Sequence, residues 1–521
     1  MAKSDLEKEV AQRLADARMQ KTHVESDLRE AYFFTDPQRF REVTSHMGSM
    51  DQRPSDAKQL STSLGMEVAQ DFATEMINTF MPSIINWADQ KASVDIPEER
   101  RDEIEEIVSA QTLSVMQAIK QSNFYDTAAM GFTPDLSLGT VGLWIEDKQS
   151  HQPIETFSVP IRELEVNIGP NGEIDDRFVV RHTRYRHVEA LLPDVELPKE
   201  VAEKIKKKPR ERCQITWGFW RVWSRRDEVV WKSVIMIGPK LVFETELVGD
   251  GSCPLIVGRF NPDSMFPHGR GPAIKALPEL LTLDETEVLT MESADASIHP
   301  AFAYQDDGVL NLSDGIEAGQ GYVARSWGPG GPVHRLTPEG NVQFAEYRIA
   351  KIESRIRRLF FVDFPEQAGK TPPTAEQWID EMVRAKRRIG TPGRVFWKEV
   401  PAEVFKRFKW LLEKRGTIEP ITVDGKQLAL VPYDPTEQAQ EHQEVNVANR
   451  ILEMARNHFP QMLEVMVDGP ATLKTVKEKL RDKIVVLREP GEMQQAADLI
   501  ASTQGGGMGG GGMGGGPEGA M

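Results

Sequence analysis

A chain of 521 residues is too long for one ordinary core, and a soft prior of about 150 residues per domain suggests about three modules. With 40% hydrophobic and 27% charged residues the composition is that of a soluble globular protein. A formal net charge of −17 argues against a stable nucleic-acid binder, which carries a basic, counterion-releasing surface. No apolar run approaches the roughly 18–20 residues of a membrane span, and the opening MAKSDLEKEV is charged and helical rather than signal-like. Cys213 and Cys253 lie far apart, which fits a reducing compartment, and neither has companions at metal-ligand spacing.

In chain order, Ser4 to about Phe34 reads as a helix, with Leu6, Val10, Leu14 and Ala17 on one stripe, ended by Asp36-Pro37. A second helix is expected from about Lys58 to Phe80, where Leu64, Val68, Phe72, Met76 and Phe80 repeat every fourth residue. A third runs from Pro97 to about Ser122, its acidic start suited to the positive end of the helix dipole. Tyr125 to Leu138 reads as a helix interrupted near Gly131 and Pro134, and Gly139 to Ile145 then turns to strand character. From Thr156 to Phe260 the chain is β-rich. Gln214–Ser224, Glu228–Ile237, Leu241–Val248 and Leu255–Phe260 are joined by links short enough to allow only antiparallel neighbours, so a four-strand meander is expected. Trp217, Trp220, Trp223 and Trp231 fall in it and read as sheet core.

Beyond the loop MFPHGRG, a long helix is expected from about Pro272 to Ala296, with Pro in its first turn and an acidic distal half. About forty residues rich in Gly and Pro follow, with short strands at Ala301–Gln305 and Gly321–Arg325. A second helix, about Asn341 to Phe361, ends strongly basic. After a loop from Val362 to Pro373, Thr374 caps a helix that breaks at Gly390–Gly393 and resumes from about Ala402 to Lys414. Pro435 to Thr503 reads as helices broken at Pro460, Gly469-Pro470 and Pro490-Gly491, and the glycine run from Gly505 to Gly516 cannot offset its ordering entropy.

Enzyme chemistry finds no positive support. Gly369-Lys370-Thr371 mimics the end of a phosphate-binding loop, but Phe364 stands where the first glycine belongs, a helix precedes it, and Pro372-Pro373 follow. There is no Gly-x-Ser-x-Gly elbow and no His-Glu-x-x-His, so no catalytic, cofactor or metal residue is assigned. The informative feature is the run helix, Gly/Pro-broken insert, helix, loop, long kinked helix. Two such polar helices suit a hairpin that packs against neighbours rather than into a monomer core.

That run resembles the podovirus-type bacteriophage head-to-tail connector (portal) proteins, from about Lys58 to Lys414. The residues that carry the resemblance are the small-residue helix into Phe80-Met81-Pro82 with Trp87, Gly139-Thr140-Val141-Gly142-Leu143-Trp144, Pro254 to Phe260 followed by His268-Gly269-Arg270-Gly271-Pro272, and Thr374-Ala375-Glu376-Gln377. His268 replaces the family's usual aromatic residue, and the acid of Thr-Ala-x-Glu sits one position early. The resemblance implies an α+β, predominantly helical, ring-forming fold. Its regions would be a wing (1–271), a first stem helix (272–296), a clip (297–340), a second stem helix (341–361), a tunnel loop (362–373), a wing helix (374–434), a crown (435–504) and a Gly/Met tail (505–521). It implies a homododecamer at one capsid vertex of a short-tailed phage, assembled in the host cytoplasm. It also implies partners: the terminase packaging motor, tail adaptor and tail tube proteins, major capsid and scaffolding proteins, and double-stranded DNA in transient, non-specific passage, with no membrane insertion and no cofactor. Tyr322, Arg325 and Trp327 are the docking candidates of the clip.

The acidity then gains a meaning, since a conduit must not grip the duplex it passes, and twelve acidic copies repel it within a Debye length of about 8–10 Å. Asp284, Glu285, Glu287, Glu292 and Asp295 on the first stem helix are candidates for the channel wall or for an intersubunit face. Lys370, or Lys351 with Arg355 and Arg358, are candidates for basic rings that touch phosphates; for the arginines, intersubunit ion pairs and helix-end charge are the alternative. Competing readings are another structural virion protein, such as a tail adaptor or scaffold, and a DNA-translocating enzyme, which would need the phosphate loop that is missing.

Overall fold

The computed structural model describes residues 3–37, 60–84, 86–91, 98–148, 151–193, 195–225, 228–263, 266–298, 301–304, 333–336, 342–363, 388–389, 392–420, 429–432, 435–458 and 467–480. The chain divides into two units, Met1–Asp434 and Pro435–Met521. Helix and sheet are mixed in the first unit, and the described part of the second is helical.

The helix expected from Ser4 to Phe34 is two, α1 (Lys3–Thr22) and α2 (Glu25–Thr35). The break comes where the Val24 N–H bonds Lys21 O in a tightened last turn, while the Lys21 ammonium is pinned elsewhere. α3 (Leu64–Phe80) starts later than expected, and β1 (Ala88–Lys91) follows it. α4 (Glu98–Gln121) matches its prediction, whereas α5 (Phe124–Leu138) runs unbroken through Gly131 and Pro134. Pro134 removes one ladder bond without ending the helix, and the bare Gly131 lets Ser158 press against it.

The predicted meander is also redrawn. Strands β2 (Thr140–Glu146), β3 (Glu155–Val159), β4 (Leu164–Ile168) and β5 (Ile174–Arg184) lead through the short helices α6 (Val188–Leu191) and α7 (Lys199–Lys207) to β6 (Arg212–Arg221), β7 (Val230–Ile237), β8 (Lys240–Val248) and β9 (Leu255–Arg259). β4 to β8 form an antiparallel five-strand sheet in sequence order. β9, the expected fourth strand, instead pairs with β2 in a three-strand sheet of order β3-β2-β9. Period-two patterning serves two cores across the larger sheet. Phe178, Trp220, Val234 and Met236 meet Leu6, Val10 and Ala17 of α1 on one face. Val179, Trp217, Phe219 and Trp231 form the other. Trp217, Trp220 and Trp231 are thus core, and Trp223 is part-buried, its indole N–H donating to Asp175 at 3.0 Å.

The largest core is mainly helical and gathers α2, α3 and α5 around Phe72, Phe132, Phe260, Phe360 and Phe396. Into it enter α8 (Pro272–Lys275) and α9 (Leu277–Ile298), a pair that replaces the single expected helix, with the join at Ala276. β10 (Ala301–Tyr304) and β11 (Val333–Leu336) pair antiparallel, Ala301 opposite Leu336 and Tyr304 opposite Val333. α10 (Val342–Leu359) returns the chain to the core. A helical stretch at 392–399 leads to α11 (Pro401–Lys414), and β12 (Ala429–Pro432) pairs with β1. In the second unit α12 (Pro435–His458) and α13 (Gly469–Leu480) pack together, so Gly469-Pro470 opens a helix rather than breaking one. The strand expected at Gly321–Arg325, the cap at Thr374, the tunnel loop beyond Asp363 and the glycine tail lie outside the described residues.

Candidate functional site

The helix pair α9/α10 stands on a brace made from two of the glycine-bearing segments. Gly139 ends α5 in the left-handed region, φ 110°, where a side chain is strained. Its carbonyl accepts the Phe260 N–H at 2.9 Å, the Leu138 carbonyl accepts the Gly271 N–H at 3.0 Å, and the Thr140 hydroxyl accepts the Gly269 N–H at 3.0 Å. The backbones approach so closely that a Cβ on Gly271 would run into the Ser137 carbonyl. The segment Gly139–Trp144 and the segment His268–Pro272 are therefore one structural joint, and Pro272 opens α8 from it.

Buried charges fasten the same region. The Lys21 ammonium donates to the carbonyls of Ile161 at 2.7 Å and Leu164 at 2.9 Å and to Glu165 at 3.3 Å, which ties α1 to β4. Desolvation lowers its pKa against the pull of Glu165. Arg259, at the end of β9, grips Glu399 through its guanidinium, and its backbone N–H bonds the same carboxylate at 2.8 Å. Arg407 of α11 donates to the carbonyls of Ile145 at 3.1 Å and Ser252 at 2.7 Å, and burial holds its pKa down at about 10. His268 is buried with neither ring nitrogen hydrogen-bonded; desolvation, and then the cations Lys21 and Arg259, push its pKa down to about 3. Both cysteines are free and buried, and desolvation pushes the Cys213 thiol up to about 11.

α9 and α10 run antiparallel, since Glu279 near the start of one meets Arg355 near the end of the other at 3.7 Å. Leu280, Leu283, Ile356 and Phe360 root the pair in the helical core, where Phe72 sets its ring edge-on to Phe260 at 5.2 Å and Phe360 at 6.4 Å. Away from that root the pair leaves the core. On α9, Leu281, Glu285, Val288, Glu292 and Asp295, spaced by four and three, share one exposed face. On α10, Phe344, Tyr347, Lys351, Arg355 and Arg358 do the same. Large apolar groups stand in water there: Leu289 is 58% exposed, Phe344 61% and Tyr347 66%. A groove of about 420 Å³ between the two helices is lined by Thr282, Phe344, Tyr347, Arg348 and Lys351.

The candidate residues thus divide. Asp284 is half-buried and accepts the Ser61 N–H at 2.8 Å, so it braces its own chain. Arg355 pairs with Glu279, and Arg357 with Glu67 at 3.0 Å. Glu285, Glu292, Lys351 and Arg358 are exposed and form no ion pair among the described residues. Lys370, Tyr322, Arg325 and Trp327 lie outside the described residues. Sequence reasoning passed over Phe344, Tyr347 and Arg348, although Phe344, Tyr347, Lys351 and Arg355 already stood at helical spacing. It also passed over the Arg259–Glu399 and Lys21–Glu165 pairs, whose partners are remote in sequence. Among the described residues no group of three or more His, Cys, Asp or Glu side chains is placed to hold a metal ion, and no helix is long and apolar enough to cross a membrane.

No curated protein matches the chain. Among solved structures, a chain from the virion of a native gene transfer agent (GTA) particle is similar at 12% identity and a TM-score of 0.39, over 84% of this chain and 98% of that one. A chain from the neck of an empty GTA particle, computed with C6 symmetry, matches at 12% identity and a TM-score of 0.37 with the same coverage. The bacteriophage head to tail connecting protein family matches residues 7–480, nearly the whole chain, including the glycine joint and both rooted helices. The chain belongs to the family of bacteriophage head-to-tail connecting proteins, structural components of the phage particle.

Proposed function

We propose that twelve copies of this connector form the portal ring at one capsid vertex of a short-tailed phage, a conduit through which the genome is packaged and later ejected. The observation that carries the reading is the antiparallel pair α9/α10, rooted in the core at one end and joined at the other by the β10/β11 ribbon, inside a family match that spans residues 7–480. In this reading 272–296 and 341–361 are the stem and 297–340 the clip, which docks the terminase motor during packaging and tail adaptor or tail tube proteins afterwards, with Tyr322, Arg325 and Trp327 as contacts. The segment 362–373 is the tunnel loop, 1–271 and 374–434 form the wing, which meets the capsid and scaffolding proteins, and 435–504 is the crown. Assembly takes place in the host cytoplasm.

A formal charge of −17 per copy suits passage rather than capture, because an acidic ring lacks the phosphate-neutralising surface that makes DNA binding tight. Lys370, a lone cation in a loop bounded by Pro and Gly, is the proposed point of contact with phosphate. Negative-stain images of the purified chain test the assembly: rings with a central hole are expected, whereas monomers, filaments or small bundles would overturn it. For the loop, Lys370→Ala is expected to lower packaged or retained DNA, and particles that package and retain normally would remove Lys370 from the mechanism.

A further inference from the structure

We propose that the ring closes through a charged seam in which α9 of one copy lies along α10 of the next, Glu285 between Arg348 and Lys351, and Val288 and Leu289 against Phe344 and Tyr347. The inference rests on the ring reading above and names the residues that join its members.

The two exposed faces are complementary in two ways at once. α9 carries six carboxylates and no cation, while α10 carries five cations against two carboxylates. Interleaved with these charges stand large, mostly exposed apolar side chains, Leu289 on one helix and Tyr347 on the other. A DNA duplex would satisfy the cations alone, be repelled by Glu285, and leave the leucine and valine wet. A second copy complements both faces at once.

Level matters as well as sign. The Glu279–Arg355 contact sets, to within about one helical turn, which residues of the antiparallel pair lie at the same height. Six residues onward from Glu279 and six back from Arg355, Glu285 comes level with Ile349, between Arg348 and Lys351. Val288 and Leu289 come level with Phe344 and Tyr347. With the pair standing along the ring axis, as the seam requires, rotation about that axis involves no translation along it, so residues level within a copy stay level between copies. Arg348, Lys351, Phe344 and Tyr347 also line the groove of about 420 Å³, which gives the neighbour's Val288 and Leu289 a place to enter. Glu285 and Lys351 are thereby removed from the channel wall. With Asp284 and Arg355 held inside their own chain, Glu287, Glu292, Asp295 and Arg358 remain as its candidates on these helices.

The contact is head-to-tail, which allows a test by mixing. Glu285→Lys puts cations on both sides of every seam, and Arg348→Glu with Lys351→Glu puts carboxylates on both sides. Each variant alone is expected to lose about ten-fold or more of its assembled fraction by mass photometry at moderate salt, with circular dichroism unchanged. Mixed in equal amounts they should assemble in alternation, to within about two-fold of the unaltered chain, because every seam again pairs opposite charges. If each variant assembles alone as well as the unaltered chain, or if the mixture stays apart, the seam is wrong while the ring stands. If the unaltered chain itself makes no ring, the portal reading fails and the seam fails with it.

Discussion

At the scale of single residues, the joint below the helix pair has no room for an added atom at Gly271. A Cβ there would meet the Ser137 carbonyl, and backbone rather than a flexible side chain is in the way. Gly271→Ala is expected to cost about 3 kcal/mol in denaturant unfolding, because overpacking here must shift the end of α5 or α8. His268 in the same joint makes a second prediction, through protons. Its folded pKa, about 3, lies below the unfolded value of 6.5, so between those values the unfolded chain binds the extra proton. Its contribution to stability is therefore complete above pH 6.5 and is lost as pH falls towards 3, at up to about 1.4 kcal/mol per pH unit. His268→Phe, which puts an aromatic residue where the family usually has one, should flatten the acid limb of the stability profile. At pH 7 it should match or exceed the native chain by about 1 kcal/mol, since two unpartnered nitrogens leave the core. An equally steep acid limb in the variant would show that His268 is not the titrating group.

At the scale of elements, the sequence was most legible where periodicity was long and the partner local. α4, β6 to β8 and α11 lie within a few residues of their expected bounds, because an amphipathic stripe or a tight turn announces each one. What escaped depends on remote partners. The fourth run of the predicted meander, Leu255–Arg259, has the same apolar strand character as its neighbours, yet it joins β2, more than a hundred residues earlier, instead of β8. Nothing local separates those two pairings. The break at His23–Val24 is of the same kind, since it belongs with a lysine held by carbonyls at and just before the start of β4. That lysine carries a prediction: Lys21→Met leaves Glu165 buried without its cation and should cost about 3 kcal/mol. Hydrogen exchange should show the loss concentrated in α1, with α9 and α10 protected as before. Uniform loss across the unit would mean that α1 and the helical core unfold together. The helix pair itself was legible as two polar helices around a broken insert. Its exposed faces became readable only once Leu280, Leu283 and Ile356 had been placed inside, which left Leu289 and Phe344 outside.

At the scale of the whole molecule, the proposed conduit is an acidic ring through which DNA would pass, and salt dependence tests that reading. A protein that neutralises many phosphates shows log affinity falling with log salt at a slope of about −0.9 per phosphate. The α9/α10 pair is built differently. The five cations of α10 are balanced by two carboxylates on the same helix and by six on α9, and Arg355 and Arg357 are already paired within the chain. If Arg348 and Lys351 also lie in seams, few cations remain on the helix pair to meet a phosphate. Purified rings should therefore bind linear duplex DNA no tighter than about 10⁻⁴ M at physiological salt, with a slope shallower than about −2. A steep slope, near −5 or beyond, would mean that the channel grips its cargo through a continuous basic wall. The E285K variant sharpens the comparison. Removing a carboxylate and adding a cation on each copy raises the charge of any ring that still forms by two per subunit, so a channel-facing Glu285 would give tighter binding and a steeper slope. A seam-facing Glu285 would instead lower the fraction of rings, with the slope of the remaining rings near that of the unaltered chain.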